Sequence, residues 1–176
     1  MCGEDGKREN LIFADYAGEL FNEDACLKEL GEFFAGAANV VVTLDGEKVC
    51  NYTSRNTVFS HARILLTRMQ SAGILSERTH LYIVCTKYDK IKKSEKKDST
   101  MEFLERKYKN LEETFASRVG KMNLVYLCAY GIKEKEEKIK MEGLLTGFTQ
   151  EREHNDLNLF EKPIVKRQMD KFVLRG

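Results

Sequence analysis

The sequence predicts a three-layer α/β domain in which helices cover both faces of a mostly parallel sheet. Short apolar runs with the pattern of buried strands alternate with longer amphipathic segments, which is typical of parallel sheets. The length of 176 residues suits one core of ordinary size. Right-handed crossovers would bring the carboxyl ends of the strands to one edge of the sheet. The predicted strands cover residues 10–15, 40–44, 80–85 and 123–128.

The elements of the first half follow from composition and periodicity. Residues 1–9 are polar and are predicted to form an N-terminal tail before the first strand. Residues 24–34 carry apolar side chains at helical spacing, with an acidic residue that can cap the start. After the second strand, residues 47–56 are predicted to be a connection. A long amphipathic helix is expected over 57–72, where a glycine follows and ends it.

In the second half, the third strand is the most apolar run and is followed by a lysine-rich segment that is predicted to be a charged loop. Residues 101–118 have the spacing of another helix, and the fourth strand follows it. Residues 10–150 therefore form the predicted core domain. Residues 151–176 are expected to be a helical C-terminal extension.

Composition excludes several classes of protein. Charged residues make up 32% of the chain, but the net charge is only +1, which argues against a general nucleic-acid surface. No apolar run is long enough to span a membrane, and no signal peptide is recognisable. The 5 cysteines are scattered and include no C-x-x-C, which favours reduced thiols, a cytoplasmic location and no structural metal site.

Residues able to carry chemistry lie where three of the predicted strands end. The first run ends in D-x-x-G, formed by Asp15 and Gly18, with Glu19 next. The third run ends in T-K-x-D, formed by Thr86, Lys87 and Asp89. The fourth run leads into Cys128, Ala129 and Tyr130.

With D-Y-A-G-E-L-F, V-T-L-D-G-E-K and V-C-T-K-Y-D-K in this order, the chain resembles a TRAFAC-class GTPase domain, and most of all the bacterial double-GTPase families. The resemblance covers about residues 10–150. It implies a P-loop GTPase-like fold that binds GTP or GDP, with Mg²⁺ where the phosphate-binding half is present.

The resemblance also assigns roles to the T-K-x-D residues. Asp89 would accept hydrogen bonds from N1–H and the exocyclic amine of guanine, a task for a group that can only accept. Thr86 belongs to the same loop, and the stem of Lys87 would lie along the base. The backbone of residues 128–130 would donate to the guanine carbonyl. The competing interpretations are that Asp89 ends a strand and caps a turn, and that Lys87 is a solvated loop residue.

The D-x-x-G residues would lie near the phosphates. Asp15 would reach Mg²⁺ through water, and the amide of Gly18 would reach the terminal phosphate. Glu19 stands where some relatives carry a catalytic or water-positioning side chain, and it is equally suited to cap a helix. In any βα connection D-x-x-G is also an ordinary turn signal. Asp45 and Gly46, after the second strand, are interpreted as a turn.

One motif of the resemblance is missing from the sequence. No G-x-x-x-x-G-K-[ST] occurs, and the glycines between residues 3 and 8 do not have its spacing. The chain is therefore expected to be a truncated G domain, inactive alone, that acts with a partner chain covering or supplying the missing strands, or within a longer GTPase. The alternative is a degenerate G domain that serves as a non-catalytic interaction module. An unrelated receiver or hydrolase is disfavoured, because no pair of acids stands at the end of the first predicted strand and no G-x-S-x-G occurs in the sequence.

Overall fold

A parallel sheet forms the centre of the molecule. The computed structural model describes residues 31, 34, 37–128 and 142–148. Within them the strands are β1 (Asn39–Asp45), β2 (His80–Thr86) and β3 (Lys121–Tyr126), in the order β1-β2-β3. Both pairings are parallel, which confirms the predicted sheet type. The predicted strand 10–15 and the extension 151–176 lie outside the described residues.

The strands alternate with helices, as the apolar pattern predicts. In the segments 37–128 and 142–148, two of these helices are long crossovers and three are short. They are α1 (Gly46–Cys50), α2 (Arg55–Ser71), α3 (Tyr88–Lys92), α4 (Lys97–Phe115), which continues into a 3₁₀ turn at Ala116–Arg118, and α5 (142–148).

Two of the short helices differ from the sequence prediction. Helix α1 occupies part of the predicted connection 47–56, and α3 begins the predicted charged loop. Each is 5 residues long and buries one large apolar side chain, Val49 in α1 and Ile91 in α3. Such a helix is too short to show a hydrophobic period, so it cannot be recognised by pattern.

The larger part of the core lies on one face of the sheet. Leu81, Ile83 and Cys85 of β2 point to this face and are fully buried there. The long crossover helices cover it, with Leu66 of α2 and Leu104 of α4 both fully buried. A strand that is buried at every position between its two ends, as β2 is, is expected at the centre of a sheet covered on both sides.

The opposite face is covered by α5. Tyr82 and Val84 of β2 form a small buried cluster there with Leu127, and Phe148 packs against it. The rings of Tyr82 and Phe148 meet edge to face with centroids 5.1 Å apart. The Tyr82 hydroxyl also donates to the carbonyl of Gly147 at 3.3 Å. Helices therefore lie on both faces of the sheet, as predicted.

The thiol of Cys85 is enclosed at the centre of the sheet. Burial is the main cause that raises its pKa to about 12, and the neighbouring Cys50 and Asp45 add to the effect. It is a neutral, tightly packed side chain at neutral pH. Among the described residues, no helix combines the length and the apolar character that crossing a membrane requires.

Candidate functional site at the carboxyl edge of the sheet

The carboxyl ends of β1 and β2 meet because the two strands are in register. Asp45 and Thr86 are partners in the ladder. The Thr86 hydroxyl donates to the carbonyl of Leu44 at 3.1 Å, which ties the two strand ends together. Gly46 makes this close approach possible, since a Cβ at that position would lie 2.4 Å from the Thr86 carbonyl oxygen.

Lys87 has an unusual backbone conformation at this edge. Its φ of 52° puts it in the left-handed region, and among the described residues no other non-glycine residue has a positive φ. A lysine there carries a steric penalty that surrounding contacts must offset, a situation found most often at functional sites. This conformation turns the chain out of β2 and into α3, so that Asp89 falls in the first turn of the helix.

The side chain of Lys87 reaches back to the end of β1. Its ammonium donates to Oδ2 of Asp45 at 2.9 Å and to Oε2 of Glu47 at 3.1 Å. The side chain of Lys87 is still 47% exposed, so both ion pairs are screened by water. The hydrogen bonds that Lys87 donates to Asp45 and then to Glu47 raise the pKa of Lys87 above its ordinary value.

Asp45 has two tasks at once. Its Oδ1 accepts from the backbone N–H groups of Glu47 at 2.9 Å and Lys48 at 3.4 Å, which caps α1, while Oδ2 receives Lys87. Burial alone would raise the pKa of the Asp45 carboxyl. The hydrogen bonds from Lys87, Lys48 and Glu47 outweigh it, and the net shift lowers the pKa.

Asp89 lies against the segment that follows β3. The thiol of Cys128 donates to Oδ1 of Asp89 at 3.3 Å. Oδ2 takes no hydrogen bond from the described residues, so the carboxylate keeps accepting capacity. The segment itself is held by β2, because Leu127 donates to the Cys85 carbonyl at 2.9 Å and Tyr88 donates to the Leu127 carbonyl at 3.1 Å.

Aromatic side chains pack against the turn that carries Asp89. The rings of Tyr88 and Tyr126 lie 5.1 Å apart at an angle of 32°. The ammonium of Lys92 lies 5.3 Å from the centre of the Tyr88 ring. Burial, assisted by Glu105, raises the pKa of Tyr126 to about 12, so its hydroxyl remains neutral. The turn that carries Asp89 therefore rests on a packed aromatic pair.

The structure brings together four of the residues that the sequence singled out. Thr86, Lys87 and Asp89 follow β2, and Cys128 contacts Asp89. Two partners were missed, Asp45 and Glu47, which occupy the Lys87 ammonium. The sequence signal that could have identified them is that two neighbouring parallel strands both end in polar residues. Five predicted site residues lie outside the described residues: Asp15, Gly18, Glu19, Ala129 and Tyr130.

In chemical terms, this edge offers a carboxylate that can only accept hydrogen bonds beside an ammonium that is already neutralised by two acids.

The sheet, its flanking helices and this loop define an α/β domain of the P-loop GTPase-like class. The model of the double-GTPase 2 family matches residues 3–139, which is more than half of the chain. The chain belongs to that family. The comparisons with curated proteins and with solved structures found no match.

Proposed function

We propose that this chain is the base-recognising part of a double GTPase and binds guanine nucleotides through its T-K-x-D loop. The carrying observation is the position of Asp89, at the carboxyl end of the central strand with one carboxylate oxygen in contact with Cys128 and the other without a bond from the described residues. Ligands of open α/β sheets bind outside the carboxyl ends of the strands.

The chemistry of Asp89 sets the preference. Guanine presents N1–H and an exocyclic amine side by side, and a carboxylate can accept from both. Adenine presents an unprotonated N1 at the corresponding position, which would face a lone pair. The stem of Lys87 would lie along the base, while its ammonium stays with Asp45 and Glu47.

Cys128 contributes the other wall of the base site in this proposal. Its thiol already lies against Asp89, so the backbone that follows, Ala129 and Tyr130, would continue along the base edge and donate to the guanine carbonyl. Burial of Leu127 holds the start of that segment in place.

The phosphate half of the site would come from elsewhere. Asp15, Gly18 and Glu19 would stand near the phosphates, and Mg²⁺ would supply charge stabilisation there. The sequence contains no G-x-x-x-x-G-K-[ST], so the phosphate-binding lysine and hydroxyl would come from a partner chain or another part of a longer protein. Binding by this chain alone is expected to be weak, and GTP hydrolysis absent.

The test is a titration of GDP, XDP and ADP against the wild type and Asp89→Asn. The wild type should prefer GDP. Asp89→Asn replaces an acceptor with a donor amide and should weaken GDP by roughly 2–4 kcal/mol while favouring xanthine, whose carbonyl can accept from the amide. Asp98→Asn, at an exposed position in the first turn of α4, is the matched control and should change nothing.

A second function is favoured by one observation. The Lys87 ammonium forms ion pairs with two carboxylates of the same chain, so the T-K-x-D loop also holds the ends of β1 and β2 together. A degenerate G domain that serves as a non-catalytic interaction module would retain the loop for that reason. Equal binding of GDP and ADP, or binding of neither nucleotide even with a partner chain present, would favour this second function.

A further inference from the structure

A cluster of cations and aromatic rings is formed by residues outside the T-K-x-D loop. Tyr52 stands in the connection between α1 and α2, and Phe103 belongs to α4. The guanidinium carbon of Arg55 lies 3.8 Å from the centre of the Tyr52 ring and 4.3 Å from that of Phe103. The ammonium of Lys96 lies 4.8 Å from the same Tyr52 ring.

The two rings hold Arg55 in place. Phe103 is buried and meets the buried Phe59 edge to face with ring centres 5.7 Å apart, so it is anchored in the core. Tyr52 is 49% exposed and covers the guanidinium from outside. A guanidinium fixed by stacking loses little freedom when it binds, which suits it to recognise an oxyanion.

The cations of the cluster form no ion pairs within the described residues. Arg106 and Lys107 add two more cations, 5.8 Å and 5.6 Å from the Phe103 ring. None of the four cations forms an ion pair with a carboxylate of the part of the chain that the structure describes. Nε of Arg55 is buried and has no hydrogen-bond partner there.

The Tyr52 hydroxyl lies in the field of two of these cations. A hydrogen bond from Ser99 is the largest cause that lowers the pKa of Tyr52, and the charges of Arg55 and Lys96 lower it further. Cations that form no ion pairs attract an anionic partner and raise its rate of association.

We propose that this cluster, formed by Tyr52, Arg55, Lys96, Phe103, Arg106 and Lys107, is a docking surface for an acidic segment of a partner protein. The separation of the backbone positions that carry the cations favours this partner. Lys96 stands at the N-cap position of α4 and Lys107 lies within the helix, about 16 Å further along it at the usual helical rise. One phosphate group is too small to bridge that length, whereas about five residues of extended peptide span it.

The test uses the full chain and fluorescently labelled hexaglutamate as the probe. Saturable binding is expected in low salt, weakening as salt is added. Arg55→Gln and Lys96→Gln should each weaken it about tenfold. Arg55→Lys keeps the charge but loses the planar, stacked group, so it should also weaken binding. Arg63→Gln removes one charge from an exposed position of the same helix as Arg55 and should have no effect.

Each outcome decides the proposal. Lys96 is exposed, so Lys96→Gln keeps the test valid if the thermal melt shows that Arg55 variants misfold. Absence of saturable binding, or an equal loss in Arg63→Gln, would overturn the docking surface in favour of unspecific charge attraction. Displacement of hexaglutamate by inorganic phosphate at equal concentration would identify a compact anion site and overturn the acidic segment. None of these results depends on nucleotide binding.

Discussion

Helices α1 and α3 invite a direct comparison, because each is 5 residues long and each follows a strand that ends at the same edge. Helix α1 begins on Asp45, whose side chain accepts from the first backbone N–H groups. Helix α3 begins on Lys87, which has a left-handed backbone and no side-chain cap bond. At the start of α1 the backbone N–H groups are bonded by the cap and the backbone is unstrained, whereas the backbone at the start of α3 is strained.

The strained start depends on the relaxed one. The Lys87 ammonium is bound by Asp45, the cap of α1, and by Glu47 in its first turn. The comparison teaches that the end of β1 supports the strained turn at the end of β2, where we propose that the guanine base binds. Residues that support a site are expected to affect stability first, and residues of the site to affect binding first.

We expect the largest loss of stability from a substitution at Gly46, where the end of β1 approaches the end of β2. Gly46→Ala would place a Cβ 2.4 Å from the Thr86 carbonyl, a backbone atom that cannot move aside. We expect a loss of about 2 kcal/mol in the free energy of unfolding, measured by urea denaturation. Gly143→Ala is the control, because a Cβ there meets nothing within 4 Å. Equal stability of the two variants would disprove the close approach.

The next effect tests the capped start of α1 against an uncapped helix start. Asp45→Ala removes the cap of α1 and should lower the free energy of unfolding by about 1 kcal/mol. Asp98→Ala changes an acid in the first turn of α4, where no side-chain cap bond forms, and should cost less than about 0.5 kcal/mol. If both variants unfold at the same urea concentration, the capping role of Asp45 is wrong.

A third prediction concerns the strain at Lys87. Lys87→Gly and Lys87→Ala both remove the ammonium, but only glycine adopts a φ of 52° without steric penalty. The glycine variant should therefore be about 1 kcal/mol more stable than the alanine variant. Thermal melts of the pair give the comparison, and an alanine variant as stable as the glycine variant would contradict a left-handed Lys87.

The smallest effect is the pH dependence of the Lys87–Asp45 pair. The folded pKa of Asp45 lies below 3.8, so its stabilisation is complete above that value and is lost as pH falls through the folded pKa. The folded pKa of Lys87 lies above 10.5, so its stabilisation is lost as pH rises through that pKa. The stability difference between wild type and Asp45→Asn should stay constant between these limits and shrink at acid pH.

Sequence reasoning predicted the three described strands well because each has a strong local signal. Leu81, Ile83 and Val84 belong to an unbroken apolar run, which indicates a central strand of a parallel sheet. Strand β3 begins at Lys121, which is two residues before the start of the fourth predicted strand, 123–128. The polar start of β3 lacks the apolar pattern, and its pairing with His80 decides the boundary instead.

The site was predicted less completely, for a physical reason. Motif spacing indicated Thr86, Lys87, Asp89 and Cys128, each of which follows a strand end. The bonds between Lys87 and the acids 45 and 47 join positions about forty residues apart in the sequence and depend on strand register. Register is a tertiary property that composition and periodicity do not encode locally.

The reactivity of the enclosed Cys85 thiol reports when the central strand β2 separates from its neighbours. Only a thiolate reacts at a useful rate with an alkylating reagent, and this thiol has a pKa of about 12 and no exposed surface. Its alkylation at neutral pH must therefore wait until β2 separates from its neighbours. The rate of that reaction measures how often the sheet opens. A ligand or partner that clamps the sheet would slow the reaction, and this slowing could be followed by mass spectrometry without adding a label to the chain.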